Sequence, residues 1–299
     1  MAAFNFPTNS RTKTQWDTYI LIIVFIFTIS CNDEDVNNPT DKPTTYTYTS
    51  FPSNPEEKEG YTLEFQDEFN DKTLNASKWP SPAGVTSRYN FNDSCINIFI
   101  DENSQPSNGD KVYNFRVSQI YSFKNSKKLS NGSFVTTITE TEGYATQYGY
   151  FEMRAMIPDC GGGGHCAWWM VGAPNSLSDT TKNAEIDIFE VLFSNVNNSH
   201  PKVRAWYDTS CFDWKKSVNN AYYPSKEFHV YGMDWSPSGL KFYYDNKLIA
   251  ATANSPTYKM SMFISIYTAA NKLYWSGWDN GVYPKTLSVD YVRVWKKNT

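Results

Sequence analysis

Apolar and polar positions alternate along most of the chain beyond residue 60. In residues 150–157, Phe151, Met153, Ala155 and Ile157 share one face, while Glu152 and Arg154 take the other. Leu240, Phe242 and Tyr244 alternate, Asp245-Asn246 offers a turn, and residues 247–251 return, a pattern that predicts a hairpin. Residues 262–267 and 288–295 predict further strands. Helical periodicity is scarce, and no Leu/Ala-rich stretch about 12 residues long appears. Many short strands divided by Gly, Asn, Pro and Ser predict one all-β sandwich over residues 61–299.

The N-terminus has a different pattern. Arg11 and Lys13 precede an apolar run over residues 19–29, too short for a span of about 20 residues and suited to a signal-peptide core. It ends in Thr28-Ile29-Ser30-Cys31, which resembles a bacterial lipobox although Thr28 stands where Leu is usual. That resemblance makes residues 1–31 a lipoprotein signal with Cys31 as the lipidated residue; a short anchor or a plain cleaved signal is the alternative. The acidic Asn32-Asp33-Glu34-Asp35 resembles the surface-export signal of bacterial surface lipoproteins. The expected address is therefore the outer membrane, facing outward through a lipid anchor. Residues 32–60 are rich in Pro, Thr, Asn and Ser and read as a flexible tether.

Composition narrows the function. Among 299 residues, Lys and Arg number 27 and Asp and Glu 31, a formal charge of −4 that argues against a nucleic-acid partner. Trp, Tyr and Phe reach 17%, enough to fill a sandwich core or pave a groove that stacks on flat ligands. With Cys31 set aside, Cys95, Cys160, Cys166 and Cys211 lack zinc spacing and are read as two disulfides or as free thiols.

The chemistry concentrates in Ala184-Glu185-Ile186-Asp187-Ile188-Phe189-Glu190-Val191. On a regular strand Glu185 and Asp187 share a face, but Glu190 falls with the isoleucines, inside the core. An unpaired buried carboxylate is costly. One extra residue, a β-bulge, returns Glu190 to the acidic face. Three acids on one face repel one another and raise at least one pKa, a cost that stability alone does not explain. Two such carboxylates suit glycoside hydrolysis, one ionised to attack the anomeric carbon and one protonated to release the leaving oxygen. An acidic edge strand or a calcium-binding patch is the alternative.

The acidic segment resembles the signature of glycoside hydrolase family sixteen, endo-β-glycanases on a β-jelly roll of two antiparallel sheets with a concave substrate cleft. Collinear matches reinforce it: Phe65-Gln66-Asp67-Glu68-Phe69-Asn70 with Trp79, Tyr148-Gly149-Tyr150-Phe151-Glu152-Met153-Arg154, Ala167-Trp168-Trp169-Met170, Phe228-His229-Val230-Tyr231-Gly232 through Trp235, and Val289-Asp290-Tyr291-Val292-Arg293-Val294-Trp295 after Trp275-Ser276-Gly277. The resemblance implies Glu185 as nucleophile, Glu190 as general acid/base and Asp187 as the group that tunes both. It places Trp169 on the cleft floor, on a face that alternation shares with His165 and Ala167, and leaves Trp168 in the core. Trp275 joins the expected substrate-binding residues.

Departures concern the substrate. His165-Cys166 follows Gly161-Gly162-Gly163-Gly164 where the family often has Trp-Pro, and the Gly-rich loop lacks the Lys and helix of a phosphate cradle. Trp206 stands about where relatives carry a cleft His. Alternation adds Arg204 and Asp208 to its face, a trio suited to a decorated or charged glycan; an offset of one residue puts Trp206 in the core and Tyr207 in the cleft. The expected function is a retaining endo-β-glycosidase, of β-glucan or β-galactan type, that acts as a monomer on an extracellular polysaccharide or oligosaccharide. No cofactor is required, although the family implies a structural calcium, with Asp290 as the position to watch. A non-catalytic sugar-binding protein of the same fold and a transglycosylase are the rivals.

Overall fold

A computed structural model describes residues 50–299 apart from 81–86, 93, 105–114, 159–160, 221–224, 226, 270–278 and 280. Residues Thr47–Thr299 form one compact unit. The described elements are all strands, arranged as a jelly-roll sandwich. One sheet runs Lys247–Thr252, Gly239–Tyr244, His229–Ser236, Gly149–Met156, Lys285–Lys297, Ile96–Ile100 and Tyr89–Phe91, with Tyr61–Asp67 also paired to Lys285–Lys297. The second runs Trp214–Lys215, Lys202–Arg204, Glu185–Leu192, Gly164–Gly172, Met260–Ala269 and Phe115–Tyr121, with three short strands attached. All pairings are antiparallel. The predicted hairpin is Gly239–Tyr244 and Lys247–Thr252, turning through Asp245 and Asn246 at φ 49° and 63°.

Alternation builds the core. Trp168, Met170, Ile186 and Val191 from the second sheet meet Phe151, Met153, Met233, Phe242 and Val294 from the first. Phe189 packs on Tyr231 at 4.4 Å and Trp214 stacks on Phe242 at 5.7 Å, both across the sandwich. Burial of such side chains contributes about 1.5–3 kcal/mol each. The other face of the second sheet carries a separate aromatic cluster of Tyr121, Phe123, Trp169 and Phe263. It is roofed by the hairpin Asn125–Lys128 and Phe134–Thr137, whose Phe134 meets Trp169 edge-on.

Two expectations need correction. The tether reading fails for residues 50–60, which are fastened to the first sheet. Phe51 N–H donates to Phe228 O, Arg293 donates to Asn54 O, and the Trp295 indole donates to Glu56 O. Lys58 Nζ sits 3.7 Å from the centroid of the Tyr150 ring, a cation–π contact. Polar composition marked this stretch as linker because its attachments run through backbone carbonyls of Phe51, Asn54 and Glu56 and through the Ser50, Ser53 and Asn54 side chains, whose partners are remote in sequence. The two-disulfide reading fails as well, since Cys95 and Cys211 are free thiols. Cys211 Sγ donates instead to Asp208 Oδ2 at 3.4 Å. Cys160 and Cys31 lie outside the described residues.

Candidate active site

The acidic strand Glu185–Leu192 has the bulge that its sequence calls for. Asp187 pairs with Trp169, and the next pair is Phe189 with Trp168, so Ile188 is the extra residue. Ile188 and Phe189 both enter the core as consecutive residues. Beyond the bulge the phase is reversed, and Glu190 lies opposite Ala167 on the face of Glu185 and Asp187. Asp187 and Glu190 are nevertheless 3% and 6% exposed, so the three carboxyls form a cluster with little water around it.

Lys202 neutralises part of that cluster. It faces Asp187 in the strand register, and its Nζ lies 3.2 Å from Asp187, 3.2 Å from Glu190 and 4.0 Å from Glu185. All three carboxylates raise its pKa against the opposing effect of burial. Sequence reasoning missed Lys202, although the signal was present. It stands two residues before Arg204, and alternation puts both on one face.

Burial is the main cause of the acids' shifts, and repulsion from Asp187 adds to it. Together they push Glu185 up to about 8 and Glu190 up to about 7. Burial also raises Asp187. Lys202 and Arg204 pull all three back down. Glu185 and Asp187 are neighbours on one face, and the charge on each bears on the titration of the other. The acids therefore titrate as a unit, with a proton retained near neutral pH.

The aromatic surroundings differ in part from the sequence reading. Strand Lys202–Arg204 ends before Trp206, which projects from a turn at φ 50°. Asp208 N–H donates to Ala205 O and Tyr207 N–H to Asn183 Oδ1, closing that turn. From it the half-buried Trp206 donates its indole N–H to Glu185 Oε2 at 3.2 Å, while the Arg204 guanidinium lies 4.7 Å over its ring. Asp208 does not join them. It is buried and accepts from Tyr258 and Ser210, so it is a turn-forming residue; strand alternation no longer applies once the strand has ended.

Trp169 shares the acids' face but is 8% exposed, stacked on Phe263 at 3.9 Å and donating to Ser265 Oγ. Trp168 is fully buried in the core. His165 stacks on Tyr267 at 4.5 Å, with Nε2 3.9 Å from Glu190 Oε1. Burial first, then Lys202, lowers His165 to about 3, so it is a neutral neighbour of the acid. Tyr267 is a second residue that sequence reasoning missed. Its hydroxyl donates to Gln119, and burial and the three acids keep it protonated. The preceding loop needs its glycines, since Gly161, Gly162 and Gly163 have φ of 71°, 126° and 74°. Trp275 lies outside the described residues.

The donor set at Asp290 does not fit a calcium ion. Its carboxylate accepts from Arg154 at 2.7 Å and from Ser53 at 3.2 Å, so a guanidinium already holds the place of a cation. No group of three His, Cys, Asp or Glu side chains among the described residues could hold a metal ion.

Comparison with known proteins bears on the family. The endo-β-galactosidase from Clostridium perfringens that releases GlcNAcα1-4Gal is 36% identical, with a TM-score of 0.73 over 83% of this chain and 66% of that one. The laminarinase catalytic domain from Thermotoga maritima, at 18% identity and a TM-score of 0.53, shares the fold over 81% of this chain and 100% of its own. The keratan-sulfate endo-1,4-β-galactosidase of Sphingobacterium multivorum is 25% identical over 51% of this chain, which spans only 38% of that relative's length. The model of glycosyl hydrolases family 16 matches residues 100–295, and the chain belongs to that family.

Proposed function

We propose that the protein is a retaining endo-β-glycosidase with Glu185 as nucleophile and Glu190 as general acid/base. The observation that carries this reading is the bulge at Ile188, which brings both glutamates to one face around a single ammonium, within 4.0 Å of each. Sharing one ammonium keeps the two carboxyls within about 7 Å of each other, a range that includes the double-displacement separation of about 5–5.5 Å. In its ionised form, which Lys202, Arg204 and the Trp206 indole N–H favour against burial, Glu185 attacks the anomeric carbon. Glu190 gives its proton to the leaving oxygen, and the glycosyl ester on Glu185 forms as that bond breaks. Water then enters, Glu190 takes its proton, and the sugar is released with its configuration retained. Asp187, beside Glu185 on the same face, tunes its titration as the charge on Glu185 rises and falls.

A β-galactoside-containing glycan is the favoured substrate, because the 36%-identical relative acts as an endo-β-galactosidase. Proton NMR of the first product tests the mechanism, with a β-anomer expected before mutarotation. Glu190→Ala with azide should give a β-glycosyl azide from an activated substrate, and an α-azide refutes retention. A panel of β-galactans, β-glucans and mucin-type glycans tests the substrate class.

The same reading places the enzyme at the cell surface, lipidated at Cys31 and facing outward. The support is the short apolar run that ends at that cysteine. Cys31→Ser should move the protein from the detergent phase to the aqueous phase, and unchanged partitioning opposes the anchor.

A further inference from the structure

A groove of about 520 Å³ leads away from Glu190 across strands Lys202–Arg204 and Trp214–Lys215. Its polar lining is mostly basic, with His200, Lys202, Arg204 and Lys215 against Asp213 and Glu190. This contrasts with the chain as a whole, whose formal charge is −4. Lys202 is committed to the catalytic acids. Lys215 lies opposite it in the register, is exposed, and has no acidic partner among the described residues. Arg204 is likewise exposed, and its guanidinium rests on the Trp206 ring. Two acids stand near these cations: Asp213, which accepts the Ala205 N–H at 2.8 Å, and Glu185, which lies opposite Arg204 in the register and accepts from the Trp206 indole.

We propose that this groove is a subsite for an anionic substituent, a sulfate or a carboxylate, carried by the sugar next to the bond that is cut. The proposal rests on the glycosidase reading above and names its substrate class. The Arg204 fork and the Lys215 ammonium supply donors to an oxyanion from two adjacent strands, and a planar fork suits both oxyanion types. Burial first, then the nearby Lys202 and Lys215, disfavours a charge on His200, so the groove's positive charge is that of Lys202, Arg204 and Lys215. An anionic group held there gains from the field of Arg204, Lys215 and Lys202, whose ammonium lies 3.2 Å from the Glu190 carboxylate. A neutral sugar leaves the same two cations to water.

The test uses the full-length Glu185→Gln protein, which holds substrate without cutting it. Three β-galacto-oligosaccharides of one length serve as probes: neutral, 6-sulfated, and oxidised at C6 to the uronate. Calorimetry should show an anionic probe binding at least about tenfold tighter than the neutral one, equivalent to about 1.4 kcal/mol. The preference should shrink as ionic strength rises from about 0.05 M to about 0.5 M. Tighter binding of the sulfated probe alone assigns sulfate, of the uronate alone a carboxylate, and of both a general oxyanion site. Adding Lys215→Gln or Arg204→Gln should reduce the preference, with the melting temperature checked in parallel. Equal binding of all three probes, or a preference untouched by both substitutions, overturns the proposal. Failure of the wild-type enzyme to hydrolyse any glycan would sink the glycosidase reading but leave this binding result standing.

Discussion

Lys202 faces Asp187 across the strand register, and its ammonium lies 3.2 Å from that carboxylate and 3.2 Å from Glu190. One buried cation thus stabilises charge on acids that burial otherwise keeps protonated. Its removal alters the proton inventory of the whole site.

Lys202→Met should raise the pKa of all three acids, since each is lowered by this lysine. Glu185, the proposed nucleophile, then ionises only at higher pH. The acidic limb of the kcat/KM profile should move up by about one pH unit, with activity at pH 6 down about tenfold and partly regained above pH 8. Lys202→Arg keeps the charge and should keep the limb near its wild-type place. A uniform loss at every pH would mean that Lys202 only supports the fold.

The acids also make stability depend on pH. Glu190 is pushed up to about 7 in the folded protein, whereas the unfolded chain releases that proton near pH 4.5. Between these values the unfolded state binds fewer protons, so stability falls as pH rises. Glu190→Gln removes that penalty. Its melting temperature relative to wild type should therefore be higher at pH 8 than at pH 5, as differential scanning fluorimetry would show. A difference that is constant with pH would contradict the raised pKa.

How much of this was legible in the sequence depended on how local each cause is. The bulge at Ile188 was legible because an unpaired Glu190 in the core has a clear local cost, and the phase error shows in six consecutive residues. The core position of Trp168 and the face of Trp169 followed from strand alternation. The roof over Trp169 did not, because Phe134 arrives from a distant hairpin and no period in residues 164–172 records it. Trp206 was placed on a strand that in fact stops at Arg204, since the turn is closed by Asn183 and Tyr258, which are remote in sequence. Lys202 was passed over because its role depends on three acids that only the register brings to it.

Trp206→Phe keeps an aromatic ring under Arg204 but deletes the N–H that Glu185 Oε2 accepts at 3.2 Å. A hydrogen bond to a charged group contributes about 1.5–3 kcal/mol. The variant should fold normally and lose about tenfold or more in kcat, with its acidic limb moved upward because ionised Glu185 is less stabilised. A change in KM alone would assign Trp206 to sugar stacking and not to the nucleophile.

Deletion of Ile188 tests the bulge itself. Without the extra residue, Phe189 follows Asp187 in strict alternation, so Phe189 still faces inward and Glu190 stays on the face of Asp187. The acids would then stand closer in sequence, at i, i+2 and i+4, but the deletion also removes one residue of reach between Glu185 and Glu190, about 3.3 Å along the strand. It further empties the space of a side chain that is 3% exposed in the core. Two effects should separate. Ile188→Ala keeps the bulge and leaves a cavity, so it should cost about 2–5 kcal/mol in chemical denaturation while kcat in the folded fraction changes little. The deletion should abolish turnover even under conditions where circular dichroism shows a folded sheet, because the two glutamates no longer have the spacing that nucleophilic attack and protonation of the leaving oxygen on one sugar require. Turnover by the folded deletion variant within about tenfold of wild type would show that the bulge serves only to keep Glu190 out of the core, and that its spacing from Glu185 is not what the chemistry uses.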